Sequence, residues 1–435
     1  MSDRLRIRVL DCSSAKNAVL KNRWPNKKRL DPEVVSKAES IIEDVKKRGD
    51  SALVDFAQKF DSVKLSKDEI RVDDEDIQKA YEKVGKAQVK AIKLVKKRVE
   101  AYQKRLLERL SFQYRANGVT IQSRTAPIRR LGCYVPGGEA AYPSSLVMTI
   151  TPAKVAGVPE IAVCSPPRSG GDVNPLILVA ADICGVNEVY RIGGAQAVAA
   201  MAYGTETVKP VDKLVGPGNR YVVAAKMLAS QDLPIDIPAG PSEIVVLADE
   251  SANPRMAALD MVSQAEHVDG VAVLVTTSRK VSESVEKELQ NVVENIPNRE
   301  MVTQNLSKNG CFIVCKDIRE AVGFVNEFAP EHLEVPSADG WEITEQVRSA
   351  GLVLVGGYTP VAASDYCLGT DHVLPTEGFS QVYSGLSVFD FVKRFNVVEC
   401  SRQGLLKARR AAKVMAESEG LVNHALAVEG RFKDA

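Results

Sequence analysis

Between residues 87 and 110, Ile92, Val95, Val99, Tyr102, Leu106 and Leu110 recur every three or four positions. That spacing gives a helix one apolar stripe. Lys93, Lys96, Lys97, Arg98, Lys104 and Arg105 fill its other faces. They suit a nucleic-acid surface or, the better reading, a solvated face offset by Asp73-Asp74-Glu75-Asp76. The chain up to about Phe112 reads as helical.

From Gly118 the texture changes to short β-branched runs alternating with alanine-rich ones. Strands are expected at 160–164, 188–192 and 213–215, with helices at 175–184, 195–202 and 221–229. Such alternation implies a parallel sheet covered by helices. A second set follows, with strands at 244–248, 271–276, 311–314 and 352–355. Asn253-Pro254 opens a helix with a capping side chain and a proline in its first turn. Further helices are expected at 282–293 and 318–328. After His372 the chain turns irregular, then helical over about 405–417, and 425–429 resembles a short strand. A long C-terminal excursion of this kind reads as an arm packed on a partner.

Composition narrows the class. The 435 residues are 45% hydrophobic and 26% charged with net charge +1, as in an ordinary soluble protein of two or three domains. No global field favours DNA or an anionic membrane. The N-terminus starts no apolar signal core and no apolar run approaches a membrane span, so the cytoplasm is the default location. The eight cysteines lack the density of a disulfide scaffold and read mostly as buried apolar thiols. Cys133 and Cys367 lie beside candidate site segments.

All four histidines lie in the second half, inside compact polar motifs. Imidazole is the commonest transition-metal ligand and the side chain best matched to proton transfer near neutral pH. Gln264 and His267, three apart near a helix end, share a face and can grip one ion or merely cap carbonyls. Asp365 follows the glycine-rich strand exit Leu354-Val355-Gly356-Gly357. A carboxylate there sits at the carboxyl end of a parallel strand, where α/β sheets build sites, or is a helix cap. His424 follows Gly420. Together Gln264, His267, Asp365 and His424 offer nitrogen and oxygen without thiolate, which suits Zn²⁺ without excluding Mn²⁺, Co²⁺ or Fe²⁺. Glu331-His332, expected on a short turn, offers two bases of unlike pKa. The loops Tyr134-Val135-Pro136-Gly137-Gly138, Gly193-Gly194-Ala195-Gln196 and Gly216-Pro217-Gly218-Asn219 can bring backbone close to phosphate, although none is the Gly-x-Gly-x-x-Gly fingerprint.

These segments, with Ala239-Gly240-Pro241-Ser242-Glu243, Ala329-Pro330-Glu331-His332-Leu333 and Gly369-Thr370-Asp371-His372-Val373-Leu374-Pro375, together resemble the histidinol dehydrogenase family from about Lys21 to Val428. The resemblance implies oxidation of L-histidinol through the aldehyde to L-histidine, reducing two NAD⁺. It implies Gln264, His267, Asp365 and His424 as Zn²⁺ ligands, His332 as the base for the alcohol proton, and Glu331 as the base that activates water. Ser242 and Glu419 match substrate-contacting positions, and His372 falls in the substrate pocket. Tyr134, Gln196 and Asn219 match NAD-contacting positions. The resemblance further implies a homodimer in which Glu419 and His424 complete the neighbouring site. Asp371, where asparagine is as readily expected, puts a carboxylate beside His372 and is expected to raise its pKa.

Pattern and resemblance imply an α/β protein with two incomplete Rossmann-like parallel-sheet domains, an N-terminal helical segment and an extended C-terminal arm. The expected division is an extension at 1–27, a first α/β domain at 28–111 plus 241–371, a second at 112–240, and a dimerisation arm at 372–435. Two rivals keep the same residues: a same-scaffold dehydrogenase for another small alcohol, such as a sulfonated diol, and a Zn²⁺-dependent hydrolase in which Glu331 activates water. A third, a non-catalytic basic-helix scaffold, leaves His332 without a role.

Overall fold

A computed structural model describes residues 5–23, 30–137, 141–237 and 240–432. Gly138 and Ala239, and residues 1–4 and 24–27 of the expected N-terminal extension, lie outside the described residues. Among the described residues no helix is long and apolar enough to cross a membrane.

The larger sheet has six parallel strands in the order β1 (Arg8–Asp11), β10 (Cys311–Val314), β9 (Val271–Thr276), β8 (Glu243–Ala248), β11 (His332–Val335) and β12 (Leu352–Val355). β8, β9 and β10 are near-continuous apolar runs because both faces are covered. Ile244 and Val246 face the helices Pro254–Ala265 and Arg279–Val293, whereas Val245 and Leu247 face Cys12–Val19 and Ile318–Phe328. β1 was read as part of a helical extension; instead it is this sheet's edge strand.

The smaller sheet has four parallel strands in the order β6 (Glu188–Arg191), β5 (Glu160–Ser165), β4 (Arg130–Tyr134) and β7 (Lys213–Val215). Ile92, Val95 and Val99 of helix Lys86–Glu108 join its core with helix Pro143–Ala156, and Val34, Ala38 and Ile42 cover the other face. The helices at 32–108 therefore belong to this sheet, not with 241–371 as expected. An apolar stripe dictates a helix and its buried face, but not which sheet it meets. The basic face is solvated as expected, with Lys96 and Lys104 both paired to Glu100.

The C-terminal arm is shorter than 372–435. Val373, Leu386, Val388 and Phe391 lie in the smaller sheet's core. The arm proper starts at β13 (Val392–Cys400), which pairs antiparallel with β3 (Val119–Pro127), itself paired with β2 (Phe112–Ala116). Helix Arg402–Ser418 forms as expected. The expected strand at 425–429 is instead part of helix Val422–Glu429, since Ala425, Leu426 and Ala427 favour a helix once no strand is alongside.

Candidate active site

The larger sheet places its polar side chains at its amino edge. Helix Ile318–Phe328 ends on Ala329, a left-handed residue with φ 49°, which turns the chain through Pro330 into β11. Glu331 thus precedes and His332 opens an inner strand, both buried, rather than lying on a surface turn. Helix Pro254–Ala265 runs against the strands, bringing Gln264 and His267 to the same edge. The chain leaving β12 reverses at Gly356, and helix Val361–Tyr366 carries Asp365 back. Asp365 therefore serves the amino edge, not the carboxyl edge that its position after β12 suggested.

Four contacts define the centre. The Glu243 backbone N–H donates to Glu331 Oε2 at 2.8 Å. His332 Nδ1 lies 3.3 Å from the Glu243 carbonyl and 3.6 Å from Glu331 Oε2. His332 Nε2 lies 3.4 Å from Asp365 Oδ1. A carbonyl can only accept, so Nδ1 carries a proton, and in the neutral ring the Nε2 lone pair is left toward Asp365. Burial pushes Glu331 up to about 8, against the lowering influence of His332 and the Glu243 N–H. Burial also works to lower His332, but Glu331 and Asp365 outweigh it and raise the imidazole. Asp365 is held low: His332, His372 and His267 outweigh its burial.

His372 packs against this centre. Its Nδ1 lies 2.7 Å from the Asp365 carbonyl and its Nε2 3.3 Å from Ser145 Oγ. The carbonyl fixes the proton on Nδ1, so Ser145 donates to Nε2. Burial lowers its pKa, opposite to the expected effect of Asp371. Asp371 is itself buried and held well above the carboxylate range, so it does not supply the expected charge. Cys133 is a core thiol pushed up to about 12 by burial, whereas Cys367 is half-buried.

The donor set fits a cation in part. Gln264 Nε2, His332 Nε2 and Asp365 Oδ1 are buried without a hydrogen-bond partner, a costly state in a finished site. Amide rotation can present either Gln264 atom, so nitrogen and oxygen donors suited to Zn²⁺ converge here. Glu419 and His424 are exposed on the arm, and one chain does not bring them to this centre. Among the described residues, the ligand atoms of Cys12, Cys315 and Glu320 approach within 4.8 Å of one another, and His267, Asp365 and His424 form no such group. Burial raises both of those thiols, so they read as packed cysteines.

The smaller sheet contributes a cleft of about 1150 Å³ beyond its carboxyl edge, lined by Tyr134, Gly137, Gln196, Asn219, Phe60 and Lys59 among others. Asn219 Oδ1 caps helix Arg220–Ala229, accepting from Tyr221 and Val222. Helix Gly194–Tyr203 starts at the same rim, so two helix N-termini face the space, an arrangement suited to phosphate. Gly216 has φ +116°, and a Cβ there would lie 2.0 Å from the Tyr134 carbonyl oxygen. Asp236 accepts from its N–H at 2.6 Å and Lys226 donates to its carbonyl at 2.8 Å. The helix Pro143–Ala156 that follows β4 in sequence carries Ser145 to the acid–base centre. Ser145 and the Arg23 that pairs with Glu243 had no local signal; only the tertiary structure brings them here.

Two α/β modules, a buried acid–imidazole pair and a cleft rimmed by two helix N-termini fit a nucleotide-dependent oxidoreductase. The chain belongs to the histidinol dehydrogenase family, whose model matches residues 25–432. It is 40% identical to the histidinol dehydrogenase of Methanosarcina mazei, covering 90% of each chain. It is 42% identical to that of Listeria monocytogenes serovar 1/2a, over 92% of this chain and 94% of the relative. The crystal structure of histidinol dehydrogenase from Elizabethkingia anophelis superposes with TM-score 0.93 at 34% identity, covering 98% of both chains.

Proposed function

We propose that the chain oxidises L-histidinol through L-histidinal to L-histidine with two NAD⁺, in the cytoplasm, as a homodimer whose sites are shared. The observation that carries this reading is the buried Glu331–His332 pair with Asp365 against it, at the sheet edge where a buried Gln264 amide is also unsatisfied. Gln264, His267 and Asp365 would hold Zn²⁺, with His424 from a second copy. Bound zinc would orient the substrate's imidazole and amine and polarise its oxygen. NAD⁺ would lie along Tyr134, Gln196 and Asn219 and take a hydride from the substrate carbon at each oxidation.

The protein's own residues move the protons. In the neutral ring His332 Nδ1 carries the proton, and Nε2 accepts the alcohol proton as the carbinol carbon gives up its hydride and becomes the aldehyde. Glu331 then takes a proton from water as the water oxygen bonds the aldehyde carbon, and the His332 imidazolium returns its proton to the aldehyde oxygen, giving the hydrate. His332 takes a hydrate hydroxyl proton as the second hydride leaves and the acid forms. A carboxyl held near 8 is a stronger base than an ordinary one and still ionises near neutral pH. His372, Ser242 and Glu419 of a second copy line the substrate pocket. The test is NADH formed per histidinol by the zinc-loaded enzyme. Two NADH and recovered histidine are expected; no NADH, or release of free aldehyde after one, overturns the reading. A hydrolase reading predicts no NADH and leaves the cleft unexplained.

A further inference from the structure

Arg23 precedes the residues matched by the family model and is 6% exposed. Its Nη1 and Nη2 each donate to a Glu243 carboxylate oxygen at 2.7 Å. Its Nε donates to the Phe328 carbonyl at 2.7 Å, its Nη2 also reaches the Ala329 carbonyl at 3.4 Å, and its guanidinium stacks 3.6 Å over the Phe328 ring. One side chain thereby ties the end of helix Ile318–Phe328 to the first residue of β8. The Glu331–His332 turn starts from the first of these ends, and the backbone of Glu243, at the second, contacts both Glu331 and His332.

We propose that Arg23 is a positioning residue for the Glu331–His332 pair, acting through Glu243. The proposal rests on the reading of that pair as the catalytic acid–base centre. The planar fork fits the Glu243 carboxylate in two parallel hydrogen bonds, a geometry lysine lacks. Without it, the buried Glu243 carboxylate loses its counter-charge and both guanidinium hydrogen bonds and must move to find new partners. That movement shifts the backbone atoms that set the Glu331 oxygen and the His332 ring. Arg23 touches none of the expected zinc or NAD residues, so its loss should act on turnover alone.

The experiment uses the full-length zinc-loaded protein and the variants Arg23→Ala and Arg23→Lys. Arg23→Ala is expected to lower kcat by roughly 10²-fold, the scale for a catalytic group displaced by about an ångström. KM for NAD⁺ and zinc content should stay as in the wild type. Added guanidinium should restore part of the rate to Arg23→Ala, and Arg23→Lys should retain an intermediate rate. If Arg23→Ala does not fold, Arg23→Lys carries the test, with an unchanged kcat overturning the proposal. Because the chain has four histidines, imidazole nitrogen NMR can follow His332 without any substrate. The His332 Nδ1–H signal should shift or broaden in either variant. A lowered melting temperature with kcat and the His332 signal unchanged would make Arg23 merely structural and overturn the proposal. If the wild type fails to oxidise histidinol, the functional reading falls, and the His332 signal alone decides whether Arg23 positions the pair.

Discussion

In the four-stranded sheet the cleft lies beyond the carboxyl ends of β4, β6 and β7, where parallel sheets ordinarily bind ligands. In the six-stranded sheet Glu331, His332 and Asp365 gather at the amino edge instead. The smaller module works with backbone: helix N-termini and a clamped glycine. The larger works with buried side chains that face each other across three elements. Backbone sites tolerate exposure and adapt to a ligand, whereas buried acid–base pairs need a rigid surround to hold their pKa values.

The comparison breaks most readily at His332. His332→Ala should reduce histidinol turnover by about 10³- to 10⁴-fold, the upper range for lost general-base catalysis, with zinc content by metal analysis unchanged. Loss of zinc in that variant would instead make His332 a ligand. Glu331→Gln should leave the first oxidation and halt the second, so NADH per histidinol falls from two toward one. The sign of its pH dependence follows from a folded-state pKa of about 8. Glu331 acts as a base only when ionised, so aldehyde oxidation should decline as pH falls through that value. For stability the sign reverses. The folded, metal-free chain holds this proton more tightly than the unfolded one, so stability present below about pH 4.3 is lost as pH rises through the folded value. Glu331→Gln should therefore raise the melting temperature at pH 8–9 while leaving it nearly unchanged at pH 4.

The cleft gives a smaller effect. Asn219→Ala removes the cap of helix Arg220–Ala229, worth about 1 kcal/mol, and should raise KM for NAD⁺ several-fold with little change in kcat for bound substrate. An equal loss in kcat would show that the two edges are not separable. Smallest of all, Lys93→Gln with Lys97→Gln should leave turnover and its salt dependence unchanged, and the melting temperature within about 0.5 kcal/mol of stability. A change in activity would give the basic helix a role that its solvated face does not suggest.

The fold was legible where burial made the sequence monotonous. β8 and β9 read as strands because apolar runs covered on both faces need no other signal. β11 was missed because its residues, His332-Leu333-Glu334-Val335, put two polar side chains into a buried strand. That conflict between local pattern and burial marks the site itself. The candidate residues were legible as motifs, but their edge of the sheet was not, since it depends on how the chain reverses at Gly356. Arg23 and Ser145 had no motif at all: their partners lie over 200 positions away, and no local periodicity reports such a pairing.

The edge strand β1 carries a kinetic consequence. Arg8 pairs with Cys311, so during synthesis this strand waits roughly three hundred residues for its neighbour, a separation that makes its closure intrinsically slow. The helices and strands from 32 to 229 surround the smaller sheet without that delay. Synthesis therefore delivers most of the half that holds the cleft while the six-stranded sheet still lacks its outer strand, and the segment bearing Arg23 docks only once β8 and the Phe328 turn exist to receive it.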